Sequence, residues 1–181
     1  MVYVFLADGF EEIEALTPVD VLRRSNIDVK TVGVYEKDVL GSHNIEIKAD
    51  ILLEDVNIEV IDGIILPGGM PGTKNLEKSE KLCKIIKYCM DNNILTAAIC
   101  AAPSILGKPG YLDGRDAICY PGFEKELKGA NIIPCDSGVS GNVITGRGPG
   151  AVFEFSKNIV DYLKNEKDTG KSILEGMQYF K

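Results

Sequence analysis

Of five cysteines, at positions 83, 89, 100, 119 and 135, only Cys100 stands where its neighbours lend a thiol chemistry. It follows the run Ile94-Leu95-Thr96-Ala97-Ala98-Ile99 and precedes Ala101-Ala102-Pro103. This reads as a strand turning sharply into a short helix, Ala101–Gly107, with the shape of a nucleophile elbow but without its glycines. A thiol on such a turn points out of the sheet, and the helix start beyond it favours the thiolate. The backbone N–H of Ala101 would face an oxyanion. Cys83, Cys89, Cys119 and Cys135 precede no such turn and read as weakly polar filler.

Two further segments could complete a site. Pro67-Gly68-Gly69-Met70-Pro71-Gly72 comes directly after a buried strand, and its glycines allow the backbone to approach a ligand and offer N–H donors. Gly69 N–H is the natural companion of Ala101 N–H in an oxyanion hole. The loop is neither a Walker loop nor a GxGxxG turn. Asp8-Gly9-Phe10-Glu11-Glu12-Ile13-Glu14 places three glutamates just after the first strand. Such carboxylates are usually solvated or complement a helix start. One held in a partly apolar pocket would have a raised pKa and could pass a proton to a thiolate. Glu14 would share a face with Phe10 if the segment is helical.

Composition narrows the chemistry. The chain has a single histidine, His43. That removes most zinc-hydrolase readings and every Cys-His dyad that does not use it. The odd cysteine count, with no CxxC pair, argues against a disulfide framework or a cysteine zinc site. Neither a metal nor a cofactor is expected. With 20 Lys+Arg against 27 Asp+Glu the net charge is −7, and there is no basic tract, so nucleic acid is a poor partner. The start, Met1–Asp8, has no basic segment and its apolar run is cut by Asp8, unlike a signal peptide. No apolar run reaches membrane-spanning length. A soluble, cytoplasmic protein is expected.

The elements that must position these residues form one domain, 1–181, of ordinary size. Runs at Val2–Leu6, Asp28–Tyr35, Asp62–Leu66 and Ile94–Ile99 read as strands, and Val39–His43 with Ile45–Ala49 as a small hairpin. Asp116–Tyr120, Asn131–Pro134 and Val143–Thr145 read as further short strands. Helical periodicity covers Glu11–Arg24, with Thr17-Pro18 a candidate start or restart. Further helices are expected at Ser79–Asn92 and Ala151–Lys164, and a terminal one at Ser172–Phe180. This alternation implies a mostly parallel sheet with helices on both faces. In such folds ligands bind beyond the carboxyl ends of the strands, where all three candidate segments lie.

Together the stretches resemble the ThiJ/PfpI superfamily, in the branch of the Parkinson-associated protein deglycase and its bacterial relatives. The resemblance is carried by Leu6–Glu14, Pro18–Arg24, Leu66-Pro67-Gly68-Gly69, Ala97–Pro103 and Thr145-Gly146-Arg147-Gly148-Pro149-Gly150. They are ordered and spaced as in that family over about residues 1 to 165. It implies a flavodoxin-like, class I glutamine amidotransferase-like three-layer α/β sandwich that forms a homodimer. It implies that Cys100 is the elbow nucleophile, easily oxidised to the sulfinate, and that Glu14 is the acid hydrogen-bonded to its sulfur. Gly69 and Ala101 fall on the family's oxyanion-hole amides. Arg24 and His43 fall on basic positions near the pocket, some reached across the dimer, and Pro149 falls on a pocket wall. Tyr120 stands where some members carry a histidine, His43 where arginine is common, and Ala101 where the protease-like branch has a histidine. A Cys–Glu site is therefore expected rather than a Cys–His pair or a peptidase.

The function this resemblance implies is that of a cofactor-free glyoxalase or deglycase acting on methylglyoxal, glyoxal or their adducts. The rival is a redox-sensing stress chaperone working through oxidation of Cys100. A thiamine-pathway label attached to such chains finds no thiazole or nucleotide site to support it.

Overall fold

The computed structural model describes residues 1–180. Its centre is a seven-stranded sheet in which every neighbouring pair but one is parallel. In chain order the strands and helices are β1 (Val2–Leu6), α1 (Glu12–Arg24), β2 (Val29–Gly33), β3 (Asp38–Leu40), β4 (Glu46–Lys48), β5 (Ile51–Leu52), β6 (Gly63–Leu66), α2 (Gly72–Lys78), α3 (Glu80–Asp91), β7 (Leu95–Ile99), α4 (Pro103–Gly107), β8 (Asp116–Ala117), β9 (Asn131–Ile132), β10 (Ser137–Ser140), β11 (Val143–Gly146), α5 (Val152–Lys164) and α6 (Thr169–Gly176). The sheet order is β10-β11-β7-β6-β1-β2-β5, with β10 antiparallel to β11. The fold is thus the expected flavodoxin-like sandwich with a mostly parallel sheet.

The continuous apolar runs are explained by burial on both faces. In β1, Val2, Val4 and Leu6 pack with α1 and α5, against Val21, Leu22, Phe155 and Ile159. The alternate residues Tyr3 and Phe5 pack with α3 on the other face, against Leu82, Ile86 and Cys89. Ile64 and Leu66 likewise face α3, and Ile65 faces α5. Among the described residues no helix is long and apolar enough to cross a membrane.

The chain runs from β1 outward to β2, then returns to place β6 on the other side of β1. That reversal opens a crevice beyond the carboxyl ends of β1 and β6, the switch point of an open α/β sheet. Helix α1, leaving β1, and the glycine loop, leaving β6, both start there. Cys100 comes directly after β7, next to β6.

Several boundaries differ from the sequence reading. Helix α1 is continuous from Glu12, with Pro18 inside it and no restart at Thr17. Its first turn is tied down by tertiary bonds to Glu12 and Glu14, and Pro18 costs only the N–H that would return to the Glu14 carbonyl. The segment read as Asp116–Tyr120 pairs only at Asp116 and Ala117. The last helix spans Thr169–Gly176 rather than Ser172–Phe180. It starts early because Gly170 docks on α5: its N–H donates to Asp161 Oδ1 at 2.7 Å, and a β-carbon there would lie 2.5 Å from the Lys157 carbonyl oxygen. Periodicity also missed β5, β10 and α2, each short and flanked by loops.

Candidate active site

The first wall of the site is the link between the β1–α1 and β6–α2 loops. Glu11 N–H donates to the Gly68 carbonyl at 3.0 Å, and Gly72 N–H donates to the Gly9 carbonyl at 3.2 Å. Gly68 N–H in turn donates to Glu14 Oε2 at 2.8 Å. The start of α1 therefore holds both polar groups of Gly68. Phe10 lies before the helix, bridged to Gly41, so it reaches the core by the loop rather than by sharing a helical face with Glu14. Glu14 has no exposed surface.

Glycine is required at two adjoining positions. A β-carbon on Gly68 would stand 2.6 Å from Cys100 Cβ and 2.8 Å from Glu14 Oε2, so this backbone packs directly against both members of the thiol–carboxyl pair. Gly69 has φ +86°, which an L side chain rarely adopts. Sequence reasoning singled out Gly69 and passed over Gly68; the adjacent glycine pair was the available signal.

Cys100 itself has φ +64°, left-handed backbone in a non-glycine residue. Two long-range bonds hold it there. Its N–H donates to the Gly146 carbonyl at 2.9 Å, and its carbonyl accepts Tyr120 N–H at 2.8 Å. Such strain persists only where surroundings over-determine it, as at a nucleophile elbow. Because the Cys100 N–H is taken, the amides facing the sulfur are those of Gly69 and Ala101, the two expected from sequence.

The electrostatics depart from expectation at the sulfur. Burial, with the Glu14 charge adding to it and the Gly69 and Ala101 N–H groups opposing, pushes the Cys100 thiol up to about 12. The expected thiolate stabilised by a helix start is not what this environment favours: α4 is a five-residue turn, too short for much dipole, and a buried carboxylate faces the thiol. Burial also raises the Glu14 carboxyl to about 7, with the Gly68 N–H and Cys100 opposing and Glu11 adding repulsion. Glu14 Oε1 is buried with no hydrogen-bond partner, which leaves an acceptor, or a proton site, on the carboxyl that meets Cys100. Thiol and carboxyl thus behave as one unit that loses its first proton near neutrality.

The remaining sequence candidates divide. Tyr120 is joined to Cys100 through the backbone, and its ring lies over Gly148, where a β-carbon would be 3.1 Å from Cδ2. Pro149 lines the same pocket as Tyr120. His43 is not brought to Cys100. It is two-thirds exposed, its N–H donates to Glu12 Oε1 at 2.7 Å, and its Nδ1 lies 2.9 Å from Glu12 Oε2. Burial raises the Glu12 carboxyl, but these bonds outweigh it and hold the group near 2, while His43 is raised by the same hydrogen bond. Arg24 is also outside this chain's site. It pairs with Asp20 at 2.8 Å on the last turn of α1, roughly 15 Å along the helix from Glu14. Glu11, Glu12 and His43 are the described residues whose metal-binding atoms come within 4.8 Å of one another, and those atoms already bond among themselves and to Ser42.

Comparison with known proteins identifies a family and relatives of the whole fold. The sequence pattern of the DJ-1/PfpI family matches residues 1–162. Protein DJ-1 homolog B of Arabidopsis thaliana is 39% identical over 165 residues, 90% of this chain but 38% of the plant protein. The chain spans less than half the length of that relative and of its homolog A counterpart, of which it covers 46%. The Parkinson disease protein 7 homolog of Danio rerio is 39% identical, with 88% of this chain and 87% of that protein covered. A Pyrococcus abyssi protein named a deglycase is 28% identical, covering 90% of this chain and 97% of its own length. Among solved structures, oxidized Toxoplasma gondii DJ-1 superposes with a TM-score of 0.93 at 34% identity, covering 99% of this chain and 98% of that one.

Proposed function

Since the chain belongs to the DJ-1/PfpI family, we propose that it is a cofactor-free, cysteine-dependent enzyme of the glyoxalase or deglycase type, acting on small α-oxoaldehydes or their adducts. The observation that carries this reading is the pairing of Cys100 with a buried Glu14 whose pKa lies near neutrality. One proton shared between sulfur and carboxyl gives a nucleophile and an acid–base group at once.

The steps balance without glutathione. The Cys100 proton passes to Glu14 as sulfur attacks the aldehyde carbon of methylglyoxal. The new oxyanion is held by the Gly69 and Ala101 amides and takes that proton, giving a hemithioacetal. Glu14, again a carboxylate, removes the hydrogen from the former aldehyde carbon, and an enediolate forms. Glu14 returns the proton to the adjacent carbon while the hydroxyl proton moves to the neighbouring oxygen, which leaves a hydroxy thioester and Glu14 as a carboxylate. Water hydrolyses the thioester to lactate and free thiol. From an adduct on cysteine, lysine or arginine, release of the aldehyde feeds the same sequence, with the appearance of deglycation.

The test is lactate formation from methylglyoxal, without added metal or glutathione, in wild type, Cys100→Ser and Glu14→Gln. Activity lost in both folded variants supports the reading; no wild-type activity overturns it for this substrate.

A second reading rests on Glu14 Oε1, a buried and unpartnered oxygen of the carboxyl that meets Cys100. Two equivalents of peroxide would convert the thiolate to a sulfinate with release of two waters, and protonated Glu14 would donate to the new oxygen. Mass spectrometry of peroxide-treated protein tests it: sulfinate should form at Cys100 in wild type and over-oxidise to sulfonate in Glu14→Ala. In either reading the protein acts as a homodimer, the common state in this family, and Arg24 reaches a site only across subunits.

A further inference from the structure

Strand β11 ends at Gly146, whose carbonyl accepts the Cys100 N–H, and the next residue is Arg147. On the other side, Tyr120 N–H binds the Cys100 carbonyl. These two attachments frame a surface pocket of about 260 Å³ lined by Tyr120, Pro121, Arg147, Gly148, Pro149 and Ala151. Its walls are aromatic ring, proline and bare backbone. Arg147 is the one charged side chain among the described residues lining it.

Arg147 is held rather than loose. Its N–H donates to the Asp136 carbonyl at 2.9 Å, and its Nη2 donates to Asp136 Oδ1 at 2.7 Å. A guanidinium has five donors in a planar fork, and this contact takes one. The side chain remains 52% exposed, so the other donors are free of the protein interior. A planar fork at the rim of an otherwise uncharged pocket fits a carboxylate, bound by two parallel hydrogen bonds.

We propose that Arg147 is the specificity residue of the Cys100 site and selects carbonyl substrates whose far end carries a carboxylate. This rests on Cys100 as the nucleophile toward the carbonyl. Selection of this kind requires that, with the aldehyde carbon at the sulfur, the rest of the substrate run past Tyr120, whose backbone is bonded to Cys100, toward the guanidinium. Methylglyoxal, with only a methyl group there, leaves the fork unused. Dioxovalerate, an α-oxoaldehyde with a carboxylate two methylenes beyond its ketone, uses it. A charge-assisted hydrogen bond at a half-exposed rim corresponds to about a tenfold preference.

The experiment compares kcat and KM for dioxovalerate and methylglyoxal in wild type, Arg147→Gln and Arg147→Lys. In parallel, calorimetric titration measures binding of levulinate, which has the ketone and carboxylate but no aldehyde, and of its uncharged methyl ester. Wild type should prefer dioxovalerate by about tenfold, and Arg147→Gln should lose that preference through KM rather than kcat. Arg147→Lys should recover part of it. Levulinate should bind about tenfold more weakly to Arg147→Gln than to wild type, with the ester insensitive to the change. Equal levulinate binding by wild type and Arg147→Gln, or equal wild-type binding of acid and ester, overturns the proposal. The titration needs no turnover. A protein inactive on both aldehydes that still binds levulinate through Arg147 would lose its assignment as an aldehyde enzyme and keep this anion subsite.

Discussion

Cys100 and Glu14 meet side chain to side chain beside the backbone of Gly68, which packs so close to both that no side chain fits there. One comes from the end of β7 and the other from the first turn of α1; β6, lying between β7 and β1, leads into Gly68. The contact makes two weakly acidic groups into one proton-sharing unit, and the unit's titration governs what the site can do.

The pH profile of catalysis should report that unit. Its first proton leaves near the Glu14 value of about 7, and its second only near the Cys100 value of about 12. The singly protonated form therefore spans neutral to moderately alkaline pH. The kcat/KM for methylglyoxal should rise through about pH 7 and then stay level to about pH 9. A curve still climbing at pH 9, as for an ordinary thiol, would falsify the shared-proton site.

Stability should carry the same signature with the opposite sense. The Glu14 carboxyl is raised from 4.5 to about 7, so between these values the folded chain holds a proton that the unfolded chain has lost. Stability attributable to Glu14 is complete below 4.5 and falls as pH rises through 7, by roughly 3 kcal/mol. His43, raised by Glu12, loses its contribution in the same direction as pH rises through its folded value. Urea midpoints of wild type should fall from about pH 5 to pH 8. Those of Glu14→Gln should fall much less, leaving only the His43 part. Parallel curves would show that the buried carboxyl is not raised.

Gly68→Ala tests this packing. Its methyl group would meet Cys100 Cβ at 2.6 Å and Glu14 Oε2 at 2.8 Å, and neither can retreat without moving the site. The expected cost is about 1–3 kcal/mol of stability, with lactate formation down at least about a hundredfold. Thermal melts and initial rates read the two effects separately. Near-normal turnover would mean that thiol and carboxyl need not sit this close.

The strain at Cys100 predicts an inverted ranking of small substitutions. At φ +64° glycine is unstrained and alanine is not. Cys100→Gly should exceed Cys100→Ala in stability by about 1 kcal/mol, although glycine in ordinary strand or helix positions is the less stable of the two. Chemical denaturation of the two inactive variants decides it.

Much of the fold was legible in one dimension. Apolar runs announced the buried strands because a parallel sheet covered on both faces needs no polar alternation, and α3 and α5 declared themselves by helical spacing. The small residues after Cys100 and the glycine loop after β6 marked the chemistry, because a sharp turn and a close backbone approach exclude most other residue types. Elements only one or two periods long, such as β5 and α2, repeat too few times to carry such a signal.

Tertiary structure decided the partnerships. Glu11, Glu12 and Glu14 are alike as sequence; burial and the Gly68 N–H set Glu14 against the thiol, while Glu12 turns to His43 from the β3–β4 hairpin. The same packing raised the Cys100 thiol where local reading expected a thiolate, and left Arg24 at the far end of α1. Local propensity acts over a few residues, so sequence can specify elements and the residue types at their ends. A pKa or a hydrogen-bond partner depends on which groups meet after distant strands align, and only the assembled sheet supplies that.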